Sequence, residues 1–276
     1  MNKSFRLLLL PLSLLLLTAC QPRSFTFVQM ADPQLGFSAD GGIDADLASL
    51  DRAIDLINRL HPAFVVCTGD MVHDLRNDSV AALFTQHVAR LDADIPLYYV
   101  PGNHDIHELD STNFAFYRRH YGEPRFAFRY RGSAFVGYNS TIVQEGESAM
   151  EAEQYAWLDS VLSRSSRQQH RFVFCHIPPS SHSMTDAPSY ENYPLDMRQK
   201  YMALFRDRRV DALYCGHVHY DAEMQYEGVD VVCTNALGRP FSGERGLQVT
   251  VVSRDSIHRH YYSLDELSAL VSPSLP

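Results

Sequence analysis

The hydrophobic positions in the first hundred residues alternate between two periods. Period-two runs predict strands over 25–30, 63–67 and 97–100, and runs with a period of 3.6 predict helices over 44–60 and 78–91. A strand, a helix and a second strand in this order form a right-handed unit whose strands lie parallel. This part of the chain therefore predicts a mostly parallel sheet covered by helices.

The pattern changes after residue 110, where strands become more frequent than helices. Helices are predicted over 111–121, 150–163 and 196–208, and strands near Phe172 and Ala212. The remaining predicted strands form a hairpin over 126–130 and 134–139 and a closing antiparallel meander over 221–227, 229–233, 247–252 and 256–262. Between them, 177–194 has no apolar period and is predicted to be a long loop. The mixture predicts an α/β fold in which two sheets pack together under helices as one domain.

The N-terminus has the pattern of an export signal. Lys3 and Arg6 precede the apolar run 7–17, and small residues follow up to Cys20. A run of 11 residues is short for a membrane span, which needs about 20. The segment 17–20 resembles a bacterial lipoprotein box, so we expect a signal peptide over 1–19, a mature domain over 20–276 and an acylated Cys20. An ordinary secreted protein with an unmodified cysteine is the alternative.

Composition and charge exclude several classes of protein. The 276 residues are 45 % hydrophobic, which is enough for a substantial core and excludes a disordered chain. With 24 Lys+Arg against 33 Asp+Glu, the formal net charge of −9 argues against a nucleic-acid duplex as partner. The remaining cysteines end strand-like runs and are either buried thiols or disulfide partners: Cys67, Cys175, Cys215 and Cys233.

Polar clusters follow the ends of the predicted strands. In chain order the candidate residues are Asp32, Gln34, Asp70, Asn103, His104, Asp105, His176, His217 and His219. Because the carboxyl ends of parallel strands meet at one edge of a sheet, we expect these side chains to converge there. Aspartate and histidine bind first-row divalent metals, so the pattern predicts a metal site.

These clusters, in this order, resemble the signature of the calcineurin-like metallophosphoesterase superfamily. The signature runs Asp-x-His, Gly-Asp, Gly-Asn-His-Asp/Glu, a lone His and Gly-His-x-His, and the match spans 32–219. The form Asp32-Pro33-Gln34 resembles the branch that includes the calcineurin-like phosphoesterase domain-containing 1 proteins, which are Ser/Thr phosphatases. The resemblance implies a four-layer α-β-β-α sandwich, the metallo-dependent phosphatase fold, in agreement with the two predicted sheets.

The resemblance also implies a ligand set for two divalent ions, drawn from Mn, Fe, Zn and Mg. One ion would be bound by Asp32, Gln34, Asp70 and His219, and the other by Asp70, Asn103, His176 and His217. Asp70 would bridge them.

Two positions depart from the superfamily pattern. Gln34 replaces an imidazole by a neutral amide, and His73 with Asp74 stands where many members carry an acid. An amide oxygen is a harder donor than imidazole, so we expect this site to bind Zn²⁺ less tightly and to accept Mn²⁺ or Mg²⁺ more readily. The alternative is that Gln34 only forms a hydrogen bond near the metal.

A charge count explains why such a ligand set suits phosphate esters. Two divalent ions, two aspartates and a bridging hydroxide leave a net charge near +1, which attracts a phosphate. We expect His104 to stabilise or protonate the leaving alkoxide, and Asp105 to hold the His104 ring. Asn103 and His104 are also expected to contact the substrate. Arg239 either binds the substrate phosphate as a bidentate fork or is a surface arginine.

The sequence therefore predicts a binuclear metallophosphoesterase that cleaves a phosphomonoester by attack of metal-bound hydroxide. Phosphoserine and phosphothreonine follow from the resemblance alone. The alternatives are a phosphodiesterase or nucleotidase acting on small esters and, from another class, a non-catalytic surface-binding lipoprotein. Membrane contact is expected only through the lipid on Cys20, which would place the protein in the periplasm or at the cell surface.

Overall fold

The computed structural model describes residues 24–38, 41–74, 76–146 and 148–272. The predicted signal peptide and the predicted lipid on Cys20 lie outside these residues. Within them, no helix combines the length and the apolar composition needed to cross a bilayer.

The first sheet has five strands: β1 (Phe25–Met30), β2 (Val65–Cys67), β3 (Leu97–Tyr99), β10 (Gly246–Val252) and β11 (Ile257–Ser263). Its spatial order is β11-β10-β1-β2-β3. As predicted, the first three strands are parallel, because helices connect them. The outer face of this sheet is covered by α1 (Gly42–Leu60), α2 (Asp78–Val88), α3 (Ser111–Tyr121) and α7 (Leu264–Val271).

The second sheet has six strands: β4 (Phe126–Tyr130), β5 (Ser133–Gly137), β6 (His170–Phe174), β7 (Ala212–Cys215), β8 (Ala222–Tyr226) and β9 (Val229–Cys233). Its order is β4-β5-β6-β7-β9-β8, with four parallel central strands and an antiparallel strand at each edge. Helices cover its outer face: α4 (Ser140–Gln144), α5 (Ala149–Arg164) and α6 (Leu195–Asp207).

Alternation along the strands separates the core into layers. Phe172 and Phe174 of β6 point between the two sheets, whereas Val173 points towards α5 and α6. The layer between the sheets is rich in aromatic rings, and Phe27 lies at its centre in contact with five of them. The result is the predicted four-layer α-β-β-α sandwich.

The predicted closing meander is wrong. Its four strands form two hairpins in different sheets: β8–β9 extends the second sheet, whereas β10–β11 pairs with β1 in the first. The spacing of the strands is the same in both arrangements, so the sequence pattern does not distinguish them.

Two short helices, α4 and α7, were not predicted from the sequence. In α7 the signal was present as a capping box between Ser263 and Glu266, at the end of a strand-like run.

The four described cysteines are buried free thiols. The sequence left open whether they are buried thiols or disulfide partners, and the structure shows buried thiols.

The inter-sheet layer generates a stability prediction. Phe27→Ala removes a fully buried ring and should lower the free energy of unfolding by about 3–5 kcal/mol, because the surrounding rings cannot collapse into the space. Phe27→Leu should cost less, and Leu270→Ala, at an exposed position, should stay within about 0.5 kcal/mol of the parent. Urea denaturation measures all three. Equal midpoints for Phe27→Ala and the parent would contradict the central position of this ring.

Candidate metal centre

The predicted ligands meet at one edge of the sandwich. They occupy the loops that follow the carboxyl ends of β1, β2, β3, β6 and β7. Each is at most 9 % exposed: Asp32, Gln34, Asp70, Asn103, His176, His217 and His219. The convergence expected from the strand-end pattern is therefore present in the fold.

The backbone at these loops is unusual. Five of the seven residues have positive φ angles: Asp32 (49°), Gln34 (40°), Asp70 (51°), His217 (73°) and His219 (57°). Non-glycine residues adopt this region at an energetic cost, and such residues cluster at functional sites. Glycines provide the space: a Cβ on Gly102 would collide with the Asp70 carboxylate, and one on Gly216 with the Asp32 carboxylate.

Asp70 lies at the centre of the cluster. Its Oδ2 is 3.3 Å from His176 Nε2 and 3.4 Å from Gln34 Nε2, and its Oδ1 accepts a hydrogen bond from the backbone of His104. Burial raises the pKa of this carboxyl, but the positive charge of His176 and the hydrogen bonds outweigh burial and lower it. Asp70 is therefore an anion that requires positive charge beside it.

One group of donors surrounds His176. Its Nε2 is 3.0 Å from Asn103 Oδ1 and 3.2 Å from His217 Nδ1, and one atom each from Asp70, His176 and His217 lie within 4.8 Å of one another. The other ring nitrogens face carbonyls, since His176 Nδ1 is 2.8 Å from Thr68 O and His217 Nε2 is 2.9 Å from Tyr190 O. Donation to these carbonyls leaves a lone pair on each inner nitrogen, the arrangement usual for metal-binding histidines.

The two imidazoles of this group differ in charge. Burial, followed by the charge of His176, lowers the pKa of His217 to about 4, so this ring is neutral near pH 7. Burial also disfavours a charged His176, but Asp70 and Asp32 outweigh it and raise its pKa to about 10. The carboxylates therefore favour a cation at this position, which a proton or a metal ion satisfies.

A second group of donors lies around Asp32. His219 Nε2 is 3.3 Å from Asp32 Oδ1, and His219 Nδ1 is 2.6 Å from the carbonyl of Arg239. Among the described residues, Asp32 Oδ1 and Gln34 Oε1 are buried without a hydrogen-bond partner. Buried oxygens normally have partners, and unpartnered oxygens on two residues of the proposed ligand set fit a cation that accepts oxygen ligands. The residues present therefore fit divalent metal ions.

Gln34 has features of both roles expected for it. Its Nε2 faces Asp70, while its Oε1 remains free for a cation. Its role as a ligand stays a prediction.

The structure corrects the role predicted for Asp105. Its carboxylate accepts hydrogen bonds from the backbone N–H groups of Asp70 (2.7 Å), Met71 (3.0 Å) and Gly102 (2.8 Å). These contacts occupy both oxygens, so Asp105 joins the loops after β2 and β3. The His104 ring is oriented differently: its Nδ1 is 2.8 Å from the carbonyl of His73, and the two rings stack.

Arg239 is exposed at the rim of the site. Its guanidinium carbon lies 5.0 Å from the centre of the Phe37 ring. A role in binding phosphate stays a prediction.

Two further residues were missed by sequence reasoning. Ser140 Oγ accepts hydrogen bonds from the backbone of His176 (3.1 Å) and Ile177 (2.8 Å) and so fixes the start of the long loop. Tyr190, within the predicted loop, accepts a hydrogen bond from Asn103 Nδ2 at 2.5 Å. Lack of an apolar period identified the loop, but nothing in the sequence singled out these residues.

The family model for calcineurin-like phosphoesterases matches residues 25–221. The chain belongs to the calcineurin-like phosphoesterase family. Among curated relatives, it is 33 % identical to the rat "Serine/threonine-protein phosphatase CPPED1" and 32 % identical to the human protein of that name, in each case over 88 % of this chain and 85 % of the relative. The predicted resemblance, including the branch, is confirmed.

Solved structures agree on the fold of this phosphoesterase. A dimetal phosphatase from Danio rerio superposes with a TM-score of 0.63 at 16 % identity, covering 87 % of this chain and 99 % of that one. A purple acid phosphatase from yellow lupin superposes with a TM-score of 0.68 at 15 % identity, covering 89 % of this chain and 52 % of that one. The chain is a hydrolase, a metal-dependent phosphoesterase with the fold of the metallo-dependent phosphatases.

The contacts of Asp105 in this phosphoesterase generate a prediction. Asp105→Asn removes one of two accepting oxygens from three N–H groups and should weaken metal binding by about 10–100-fold, because the Asp70 loop loses its anchor. Calorimetric titration of metal into the stripped protein measures this. Unchanged metal affinity in the variant would contradict this role of Asp105 in holding the Asp70 loop.

A second prediction concerns metal preference. Gln34→His replaces an amide oxygen by an imidazole nitrogen and should increase zinc retention relative to manganese. Elemental analysis after purification without chelators compares the variant with the parent. Two tightly held zinc ions in the parent, with no change on substitution, would contradict Gln34 as an oxygen ligand.

Proposed function

We propose that this protein is a binuclear phosphomonoesterase. One divalent ion would be bound by Asp32, Gln34, Asp70 and His219, and the other by Asp70, Asn103, His176 and His217. The observation that supports this is the single buried cluster with two unpartnered oxygens beside an ionised Asp70. When bound, such ions activate a water molecule and polarise the phosphoryl oxygens.

The charges of the donors favour an anionic substrate. Asp32 and Asp70 contribute two negative charges, whereas Gln34, Asn103 and neutral imidazoles contribute none. Two divalent ions would exceed the charge of these carboxylates, so the loaded centre would attract a phosphate ester. A carboxylate in place of Asn103 would reduce this excess.

His104 is proposed to assist the departure of the alcohol. It lies half-buried at the edge of the cluster, and its backbone N–H is bound to Asp70 Oδ1. The ring is oriented by donation from Nδ1 to the carbonyl of His73, so Nε2 carries the transferable proton when the ring is an imidazolium. In this position the ring can stabilise or protonate the leaving oxygen.

The comparisons favour a monoester as substrate. The relatives that share 33 % and 32 % identity are named serine/threonine-protein phosphatases, so phosphoserine and phosphothreonine are the first candidates. A second candidate, a phosphodiester, is favoured by a relative named "Probable cyclic nucleotide phosphodiesterase PSM_A2567" from Pseudoalteromonas, 27 % identical over 69 % of each chain. A diester requires room for a second ester arm at the metal centre.

Turnover of model substrates tests this function. The metal-loaded protein should hydrolyse para-nitrophenyl phosphate faster than its bis ester, and a chelator should abolish the reaction until metal is restored. With phosphoserine, whose alcohol is a poor leaving group, His104→Ala should reduce kcat by about 10²–10⁴-fold with metal content unchanged, because only proton transfer is lost. His258→Ala, at an exposed position, is the matched control. A loaded protein without turnover of either ester would instead favour the non-catalytic alternative.

Export and lipid anchoring remain proposals supported by the N-terminal pattern. If Cys20 is acylated, the protein should partition into the detergent phase of Triton X-114, and Cys20→Ser should move it to the aqueous phase. Ser24→Ala, four residues away, should behave as the parent. Aqueous partitioning of the parent expressed in a bacterial host would contradict the lipid anchor.

A further inference from the structure

Each histidine of the Gly-His-Val-His motif contacts an exposed aromatic ring. The centre of the Tyr190 ring lies 4.8 Å from that of His217, and the Phe241 ring stacks on His219 at 4.5 Å. Tyr190 belongs to the loop before α6, and Phe241 to the loop that joins the two sheets between β9 and β10. Two loops that are distant in the chain thus place one ring beside each half of the metal centre.

The exposure of these rings is unusual for this molecule. Both are 63 % exposed, although most large apolar side chains are buried. The described residues contain five exposed large hydrophobic side chains: Tyr190, Leu195, Phe241, Val251 and Leu270. Two of these five contact proposed metal ligands. Apolar rings at the mouth of a polar site are typical of surfaces that bind the apolar part of a ligand.

The aromatic surface continues away from the metal centre. The ring of Phe37 lies 6.3 Å from Phe241 and stacks on His73 at 4.7 Å. Arg239 covers Phe37, and no acidic partner of its guanidinium is found in the described part of the chain. The rim therefore combines planar apolar faces with an exposed cation, a combination that suits an anionic ligand carrying a ring.

We infer that Tyr190 and Phe241 bind an aromatic ring carried by the alcohol of the substrate, as in a nucleoside monophosphate. This inference rests on the proposed monoesterase function. The side chain of phosphoserine has no ring to occupy these faces, whereas a nucleotide places its base one sugar away from the reacting phosphate. Aromatic side chains stack on any nucleobase, so we expect the enzyme to prefer substrates with a planar ring without distinguishing one base from another.

A matched pair of substrates isolates the ring. Adenosine 5′-monophosphate and ribose 5-phosphate lose the same type of primary alcohol, but only the first carries a base. The kcat/KM of the metal-loaded protein should be higher for the nucleotide by about fivefold or more, because stacking of one base contributes roughly 5- to 150-fold. Uridine 5′-monophosphate should resemble adenosine 5′-monophosphate.

Variants assign the preference to the two rings. Phe241→Leu keeps apolar area without an aromatic face and should reduce the ratio of the two kcat/KM values by about twofold or more, because the Tyr190 ring remains. Phe241→Trp should preserve the ratio, and Tyr190→Leu combined with Phe241→Leu should bring it close to one. Leu270→Ala, an exposed apolar residue of α7, is the control and should leave the ratio as in the parent.

The outcomes separate this inference from the proposed function. A parent ratio near one, with both phosphates hydrolysed, would overturn the ring-binding role and leave the monoesterase intact. Faster turnover of a phosphoserine peptide without aromatic residues than of the nucleotide would overturn it as well. Absence of turnover for every phosphomonoester by the loaded protein would refute the proposed function, and the inference with it.

Discussion

The structure depends on the burial of carboxylates at one edge of the sandwich. Asp32, Asp70 and Asp105 are each at most 2 % exposed. Burial, followed by the charge of Asp70, raises the pKa of Asp105, whereas hydrogen bonds from the backbone of Gly102 and Met71 lower it. Buried charges are tolerated only when they are paired and hydrogen-bonded, so this edge requires cations. The histidines and the amide oxygens are arranged around that requirement.

The fold satisfies the requirement through its strand ends. Parallel strands place their carboxyl ends together, and the residues after them turn sharply, with positive φ at five proposed ligands. Asp105 then joins two of these loops through three backbone hydrogen bonds. Ser140 anchors the segment after β6 in a similar way. The donors are thus held by backbone contacts as well as by packing, which limits how far they can move apart.

Much of this architecture was predictable from residue patterns. The period-two and period-3.6 runs identified β1, α1, α2 and α3, and the strand-end clusters identified every residue of the buried donor set. The division of the last four strands between two sheets was not predictable, because local spacing does not encode which sheet a hairpin joins. The role of Asp105 was missed for a related reason. Its partners are backbone N–H groups, two of them in the loop after β2. A sequence motif specifies side chains and gives no information about which backbone groups they contact.

Gln34 sets this centre apart within the signature, because it adds a second neutral amide to the asparagine that the signature already contains. Gln34 and Asn103 supply oxygen without charge, so the carboxylates number only two around the proposed ions. With only two carboxylates, the loaded centre would keep a net positive charge and attract the phosphate. Tyr190 and Phe241, which contact the histidines, would bind the alcohol part of the ester. Binding of the phosphate and selection of the alcohol are therefore assigned to different residues.

The account rests on a pair of cations around Asp70. The most direct measurement is anomalous X-ray diffraction from crystals of protein purified without chelators and supplied with manganese. We predict two anomalous peaks about 3.5–4 Å apart, one on either side of the Asp70 carboxylate. A single peak, or peaks remote from Asp70, would contradict the account.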